Sequence, residues 1–442
     1  MIYLKNGDIR LKYRANIEQY IHMNKFLLSV SLCFTLGFGD FVKADTLTVM
    51  HYNLMYYDKE YDDCNSTTNN VDNKDSYLRI ILNYIQPDIF TANEINSSVS
   101  SVERIKTNAL NVNGTTKYKR ANFSGSFLSN MIYYNSDKVE LKQQSTISTS
   151  PRITDVYKLF VKNPALTNGD TIFLTCIVTH LKAGNTESDA SQRATAANSI
   201  MNYIANNNIT GNILLMGDMN LYTSTEGAFI KFTSPNGSSG FRFLDPINMS
   251  GAWNNNSYFK TVHTQSTHSS SDPCFSSGGM DDRFDFILSS SDVINGTNGL
   301  KYFNYKTIAQ DGNRYNQSLI SPVNNSVPTE VLNSQYNMAD HLPVQMKITY
   351  SSNTSGISTN SDKYNITYNN PIKENLRIRI TNEKVGISKV AVYSLLGQKI
   401  HTSSYPNFSS DINISTSDFN DGILIVDVLL TDGYRKLFKV IK

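Results

Sequence analysis

The sequence lacks a charge imbalance, a CxxC pair and a second long apolar run, and each absence narrows the field. The 442 residues carry 40 Lys and Arg against 38 Asp and Glu, a formal charge of +2. Without residues 1–44, which hold six Lys/Arg and three Asp/Glu, the charge becomes −1. Net charge alone therefore marks no nucleic-acid binder, although a local positive groove is compatible with it. Only four cysteines occur, Cys33, Cys64, Cys176 and Cys274. Their spacing argues against a zinc knuckle. Cys176 lies in the apolar run IFLTCIV and reads as a buried small hydrophobe. Cys64 and Cys274 lie in polar, loop-like stretches, so one disulfide plus a spare thiol is an option. Apart from the leader described next, no apolar run is a candidate membrane span. Hydrophobic residues make up 40% of the chain, which excludes a disordered protein. Abundant Asn, Ser, Thr and Tyr suit a β-rich chain with many turns.

What is present begins with a leader. Met23 to Ala44, MNKFLLSVSLCFTLGFGDFVKA, has Lys25 at its start, an apolar run Phe26–Phe38, and small residues at Val42 and Ala44 before a cleavage point. It reads as a secretory signal peptide over residues 23–44. Residues 1–22 are polar and precede it, so the expected start is Met23, with residues 1–22 a misannotated extension. The length suggests two or three domains. Near residue 350 the composition shifts: residues 351–369 open with SSNTSGISTNSDKYN, a Ser/Thr/Asn/Gly linker. Residues 370–442 then alternate Leu376, Ile378, Ile380 and Val390, Val392, followed by Ile423, Ile425, Val428 and Leu437, Phe438, Val440. That period of two predicts a small β-sandwich.

Four phrases in this last stretch, NPIKENLRI, VAVYSLLGQKI, DFNDGILIVDV and KLFKVIK, stand in an order that resembles the C-terminal sorting domain of the type IX secretion system of Bacteroidetes. The resemblance implies export through the periplasm and across the outer membrane, to a secreted or cell-surface destination, with the type IX secretion machinery as partner. The bland alternative is an adhesive or carbohydrate-binding sandwich. Against it stand the few aromatics beyond Tyr393, Tyr405 and Tyr434.

Residues 45–350 mix strands with helices. Strands are expected at Thr46–Tyr52, Ile89–Ala92, Asn130–Tyr134, Thr171–Val178, Ile213–Met216, Phe284–Leu288 and Leu342–Thr349. Helices are expected at Ser76–Tyr84, stopped by Pro87, and at Ala190–Ala205. Several strands are too short and too apolar to face water, so the expected fold is α+β: a four-layer sandwich of two packed β-sheets flanked by helices, followed by the small C-terminal β-sandwich.

Polar residues stand at the ends of these apolar strands. Asn53 follows TVMHY, Glu94 follows DIFTAN, His180 follows FLTCIVT, and Asp218 and Asn220 follow ILLMG. Asp285 lies in RFDFIL, and Asp340 and His341 precede LPVQMKI. Each alone has a plain account as a turn former, a cap or a solvated loop residue. Together they form the set that phosphoester hydrolysis needs. Carboxylate and amide oxygens hold a hard cation that neutralises a phosphate. A histidine steadied by a carboxylate accepts the proton of an attacking water. Further donors balance charge on the phosphoryl oxygens.

The segments YNL (Tyr52–Leu54), PDIFTANEI (Pro87–Ile95), THLKAG (Thr179–Gly184), LLMGDMN (Leu214–Asn220), RFDFIL (Arg283–Leu288) and ADHLPV (Ala339–Val344) resemble the endonuclease/exonuclease/phosphatase superfamily, whose members include pancreatic-type DNases, abasic-site endonucleases, neutral sphingomyelinases and inositol polyphosphate phosphatases. The resemblance covers nearly all of residues 45–350. It implies Glu94 as the main ligand of Mg²⁺ (or Mn²⁺ or Ca²⁺), with Asn53 beside it and Asp340 near a second metal position. It implies His180 as a donor to phosphate, Asp218 and Asn220 as the pair that orients the nucleophile and binds phosphate, and His341, paired with Asp285, as general base or phosphate ligand. Two departures stand out: ANE replaces the common QE around the metal glutamate, and Gly240 to Met280 is unfamiliar. His263 and His268 fall in that stretch and read as loop residues.

The expected activity is an extracellular, metal-dependent nuclease acting on DNA or RNA, as a monomer. A sphingomyelinase-like or sugar-phosphate phosphodiesterase is the enzymatic alternative, and a non-catalytic surface protein the other.

Overall fold

The computed structural model describes residues 45–162, 171–237, 240–350, 364–381, 384–394, 398–406 and 408–442. The expected leader at 23–44, the extension at 1–22 and most of the linker lie outside the described residues. The chain divides into two compact units, residues 1–352 and 353–442.

The larger unit contains two six-stranded sheets. The first comprises β1 (Asp45–Tyr57), β2 (Ile89–Ile95), β3 (Tyr118–Arg120), β4 (Ser129–Asn135), β11 (Lys301–Thr307) and β12 (Val344–Tyr350), in the order β11-β12-β1-β2-β4-β3. The second comprises β5 (Val139–Ile147), β6 (Thr154–Val161), β7 (Ile172–His180), β8 (Asn212–Asp218), β9 (Phe243–Leu244) and β10 (Asp285–Ser290), in the order β5-β6-β7-β8-β10-β9. Six helices accompany them among the described residues: α1 (Val71–Ile85), α2 (Val99–Ile105), α3 (Glu187–Asn206), α4 (Gly227–Thr233), α5 (Ser291–Asn295) and α6 (Thr329–Met338).

Strand β8 shows why the sheets stack. Successive side chains of a strand point to opposite faces. Leu214 and Met216 join one core with Val49, Met131 and Met346 of the first sheet, which fuses the two sheets face to face. Ile213 and Leu215 join a second core with Ile200, Met201 and Ile204 of α3 and Phe229 and Phe232 of α4. A strand buried on both faces reads as a continuous apolar run, which is what NILLM is. On the far side of the first sheet, Leu78, Ile81 and Leu82 of α1 and Val331, Leu332 and Met338 of α6 complete the first core. The result is helix, sheet, sheet, helix, the expected four layers. Thr186 opens α3 with a capping box to Asp189.

Cys64 and Cys274 form a disulfide that spans 210 positions of sequence, while Cys176 is free and buried. Burial pushes the Cys176 thiol well above its ordinary range, so it is inert.

The smaller unit has two antiparallel sheets, β13-β14-β17 and β16-β15-β18-β19, formed from β13 (Ile366–Tyr368), β14 (Asn375–Ile380), β15 (Ile387–Ser394), β16 (Lys399–Ser404), β17 (Asp411–Ser415), β18 (Ile423–Leu430) and β19 (Arg435–Ile441). They share one apolar core, as a small sandwich does. Leu376, Ile378 and Ile380 face inward as their alternation predicts. On β18 the inward set is Leu424, Val426, Val428 and Leu430, which leaves Ile423 at the surface.

Candidate active site

Strand register gathers the site. Strands β7 and β8 run parallel with His180 opposite Asp218, and β10 runs antiparallel with Asp285 opposite Asp218. Paired residues share a face, so three functional side chains stand abreast on neighbouring strands. Gly217 makes this possible. Its φ is +154°, and a Cβ there would lie 1.8 Å from the carbonyl oxygen of Thr179. Any side chain at this position would push β8 off β7. On the first sheet, β1 and β2 pair Asn53 with Asn93, and the register then breaks before Tyr57. Glu94 follows with φ +60°, a left-handed conformation that costs a non-glycine residue energy and recurs at functional sites.

The two sheets meet through side chains. Asn53 Nδ2 donates to Glu94 Oε1 and to Asp218 Oδ2, each at 3.0 Å. Glu94 Oε2 accepts from the backbone N–H of Tyr56 at 3.1 Å. Asp218 Oδ1 accepts from the N–H of Asn220 at 3.0 Å, and the Asp218 N–H donates to Asn93 Oδ1 at 2.9 Å. His180 Nε2 lies 3.5 Å from Asp218 Oδ2 and 3.7 Å from Glu94 Oε1. Glu94, His180 and Asp218 thus bring three ligand atoms within 4.8 Å of one another, the dimension of one cation's coordination sphere. Asn220 takes a left-handed φ of +49°, and its Nδ2 lies 3.3 Å from the Leu181 carbonyl.

Beside this cluster, His341 Nδ1 lies 2.7 Å from Asp285 Oδ2, and Gln265 Nε2 lies 2.8 Å from His341 Nε2. The same Gln265 nitrogen donates to Asp340 Oδ2 at 3.0 Å, so its second proton points at His341. This arrangement leaves His341 Nε2 as an acceptor with its proton on Nδ1, the tautomer a general base requires. Asp340 stands apart from the three-ligand cluster, its Oδ2 also accepting from the Ser276 N–H at 3.2 Å. Asn53, Glu94, His180, Asp218, Asn220, Asp285 and His341 are therefore brought together between the two sheets, with Asp340 joined to them through Gln265. The exchange of partners is that His180 and Asp218, not Asp340, reach ligand distance of Glu94.

The site is buried and rich in carboxyl groups. Burial raises Asp218 to about 7; His341 opposes the shift, while Asp285 and Glu94 add to it. Burial lowers His180 well below the ordinary histidine value, helped by the charges of Arg152, His341 and His51, so the ring is neutral at neutral pH. Burial would lower His341 as well, but Asp285, then Asp218 and Asp340, outweigh it and raise the ring well above 6.5. With the carboxylates uncompensated, the charge on His341 opposes the tautomer that Gln265 favours. A cation held beside Asp218 would remove that opposition.

Several residues here carry no signal in the sequence. Lys74 stands among polar residues at the start of α1, yet it is buried and its ammonium donates to the carbonyls of Leu54 (2.8 Å) and Met55. Burial lowers it to about 7, while Glu94 and Asp340 pull it up. Arg152 lies on a loop, donates to the Leu181 carbonyl at 3.1 Å, and feels the charges of Glu94 and Asp218. Gln265 comes from the stretch between Gly240 and Met280 that looked unfamiliar. His51 is buried behind Asp285, with Nε2 3.8 Å from Asp285 Oδ1. His263 and His268 lie in loops, as expected, but are buried. The first bonds the Trp253 carbonyl at 2.9 Å, and the second stacks on Tyr336 with ring centres 3.9 Å apart.

The donor set fits a divalent cation. Two carboxylates and a neutral imidazole converge, and the burial and neighbouring carboxyl groups that raise Asp218 mark a site short of positive charge. Oxygen donors suit Mg²⁺, Mn²⁺ and Ca²⁺, and the imidazole favours Mn²⁺ among these.

Residues 367–441 match the family of the secretion system C-terminal sorting domain. The chain accordingly carries a type IX secretion signal, directed through the outer membrane to the cell surface or medium. Among curated proteins none matches the chain. Similar solved structures include an endonuclease/exonuclease/phosphatase from Bacteroides vulgatus (14% identity, 70% of this chain and 100% of that one, TM-score 0.44). Another is D. rerio TDP2 complexed with single strand DNA product (15% identity, 69% and 99%, TM-score 0.44). A third is the human Nocturnin catalytic domain with bound sulfate (12% identity, 70% and 98%, TM-score 0.44).

Proposed function

We propose that residues 45–350 form a divalent-cation-dependent phosphodiester hydrolase that is exported and cleaves nucleic acid. The observation that carries this reading is the placement of the Glu94, His180 and Asp218 cluster beside the His341–Asp285 pair. Bound there, a divalent cation would supply positive charge to a phosphoryl oxygen and to the leaving oxygen. The chain's own residues do the rest. His341 accepts the proton of the attacking water at Nε2, in place of the hydrogen bond from Gln265. Asp285 stabilises the imidazolium through Nδ1. Asn53 bridges Glu94 and Asp218 and holds the two carboxylates in one orientation. Asn220 and Arg152 offer donors to the phosphoryl oxygens as charge builds on them.

The test is a substrate panel. The mature protein should cleave plasmid DNA or RNA with Mg²⁺ or Mn²⁺ and stop with EDTA, leaving sphingomyelin intact. Activity that survives EDTA removes the cation from the mechanism, and cleavage of sphingomyelin alone replaces nucleic acid by lipid.

A second expected outcome concerns the tail. Truncation after residue 366 removes the region matched to the sorting family but none of the site. The truncated protein should keep its specific activity and accumulate in the periplasm. Its appearance in the medium at the level of the full chain would show that the tail does not direct export.

A further inference from the structure

The end of β1, the loop after it and the loop before β4 together carry a feature that the hydrolytic groups do not explain. Tyr56 and Tyr61 are stacked, with ring centres 5.1 Å apart, and Phe127 meets the far edge of Tyr61 at 6.4 Å. Tyr61 is 43% and Phe127 51% exposed, so rings that touch one another also face solvent. Single exposed aromatics are ordinary, whereas a contiguous set marks a contact surface. This set adjoins the site directly, because the N–H of Tyr56 is the donor that holds Glu94 Oε2.

The shelf is also fixed in place. The backbones of Tyr61 and Cys64 bond each other reciprocally at 2.9 Å, and Cys64 is tied by the disulfide to Cys274. Two residues on, the Ser276 N–H binds Asp340. An exposed tyrosine with no role would need no such anchorage. A rigid ring loses little entropy when a partner stacks on it.

The charges select the occupant. Lys59 stands 5.9 Å from the centre of the Phe127 ring, and Arg152 is close enough for its charge to act on both Tyr56 and Glu94. The same loop carries Asp58, Glu60, Asp62 and Asp63. Asp58 accepts from Ser101 Oγ and Glu60 from the Ser66 N–H, while Asp62 and Asp63 face solvent. The solvent-facing carboxylates disfavour an anionic membrane surface, while Lys59 beside the Phe127 ring and the charge of Arg152 acting on Tyr56 suit an aromatic base that carries its own phosphate.

We infer that Tyr56, Tyr61 and Phe127 form a shelf that stacks one unpaired nucleobase next to the phosphoester at the Glu94–Asp218 cluster. This rests on the nuclease reading above. A duplex keeps its bases stacked on each other, so single-stranded substrate is favoured.

Binding of a labelled single-stranded oligothymidylate is followed by fluorescence anisotropy in EDTA, which reads the shelf without cleavage. An abasic oligomer of equal length is the comparison. Tyr61→Ala and Phe127→Ala should each weaken binding of the oligothymidylate about tenfold, the effect of losing one stacked base. Binding of the abasic oligomer should not change, and Tyr61→Phe should restore the affinity. Equal losses on both oligomers, or no loss on either, overturns the shelf. So does loss of binding to phosphatidylcholine vesicles in place of oligonucleotide. Adding Mn²⁺ to the same samples reads hydrolysis separately, so cleavage of both oligomers with no effect of the variants overturns the shelf and leaves the hydrolase reading standing.

Discussion

Replacing His341 with alanine should lower kcat for phosphodiester cleavage by about 10²- to 10⁴-fold, the usual share of a positioned general base. The effect follows from geometry. His341 Nδ1 is 2.7 Å from a carboxylate oxygen of Asp285, and its Nε2 is the acceptor that faces the cluster. Asp285→Asn should lower kcat as well, because an amide that donates to Nδ1 selects the wrong tautomer. Imidazole added to the His341→Ala protein should recover part of the rate, since the cavity and the cation ligands remain. A circular-dichroism melt separates this from unfolding. A fall of less than tenfold, with the melt unchanged, would make His341 a phosphate contact and not the base.

Removing Glu94 should act on the cation before it acts on the chemistry. Glu94→Gln keeps the size of the side chain and its contact with Asn53, and takes away one of the two carboxylates of the cluster. Cation affinity, measured by Mn²⁺ titration with electron paramagnetic resonance, should fall about 100-fold or more; even groups that merely orient metal ligands cost 10- to 100-fold. The pH dependence of the wild-type protein has a defined sign. Asp218 is raised to about 7 in the cation-free protein, so its proton competes with the cation. Affinity should therefore fall as pH drops below 7, with about half a proton released for each ion bound at pH 7 and close to one at about pH 6.

Stability follows by linkage. A carboxyl raised by burial binds its proton more tightly in the folded state than in the unfolded chain. That stabilising contribution is complete below about pH 4 and is lost as pH rises to 7. The melting temperature in EDTA should decline over that range, and added Mn²⁺ should restore it at pH 8 more than at pH 5. A Glu94→Gln variant that binds Mn²⁺ as tightly as the wild type would remove Glu94 from the ligand set.

The parts of the site that could be read from the sequence are those placed by strands. An apolar run such as NILLM ends where the sheet ends, and the polar residue after it stands at the rim of the fold. Asn53, Glu94, His180, Asp218 and Asn220 follow such runs, and Asp285 and His341 stand just before theirs. Their mutual approach was legible only as a pattern, since strand register is set by long-range pairing. Lys74, Arg152 and Gln265 were not legible at all. Lys74 lies near the start of a helix among polar neighbours, and only the docking of α1 on the first sheet carries it inward. Arg152 and Gln265 lie on loops, where no periodicity reports burial. Strands β5 and β6 carry no clear signal because VELKQQSTI and TDVYKLFV mix charges into their alternation; β5 is an edge strand, where charges are common, and β6 lies next to it. Cys64 and Cys274 signalled a pairing by their polar surroundings, but not that the bridge would anchor an aromatic surface beside the site.

The most direct test of the central claim is the rate of phosphodiester cleavage by EDTA-stripped mature protein as Mn²⁺ or Mg²⁺ is added back. The rate should rise from background and saturate at the concentration that fills the site in the binding titration. It should stay at background in the Glu94→Gln protein over the same range. Cleavage by the stripped wild-type protein at the full rate, before any cation is added, would contradict the account.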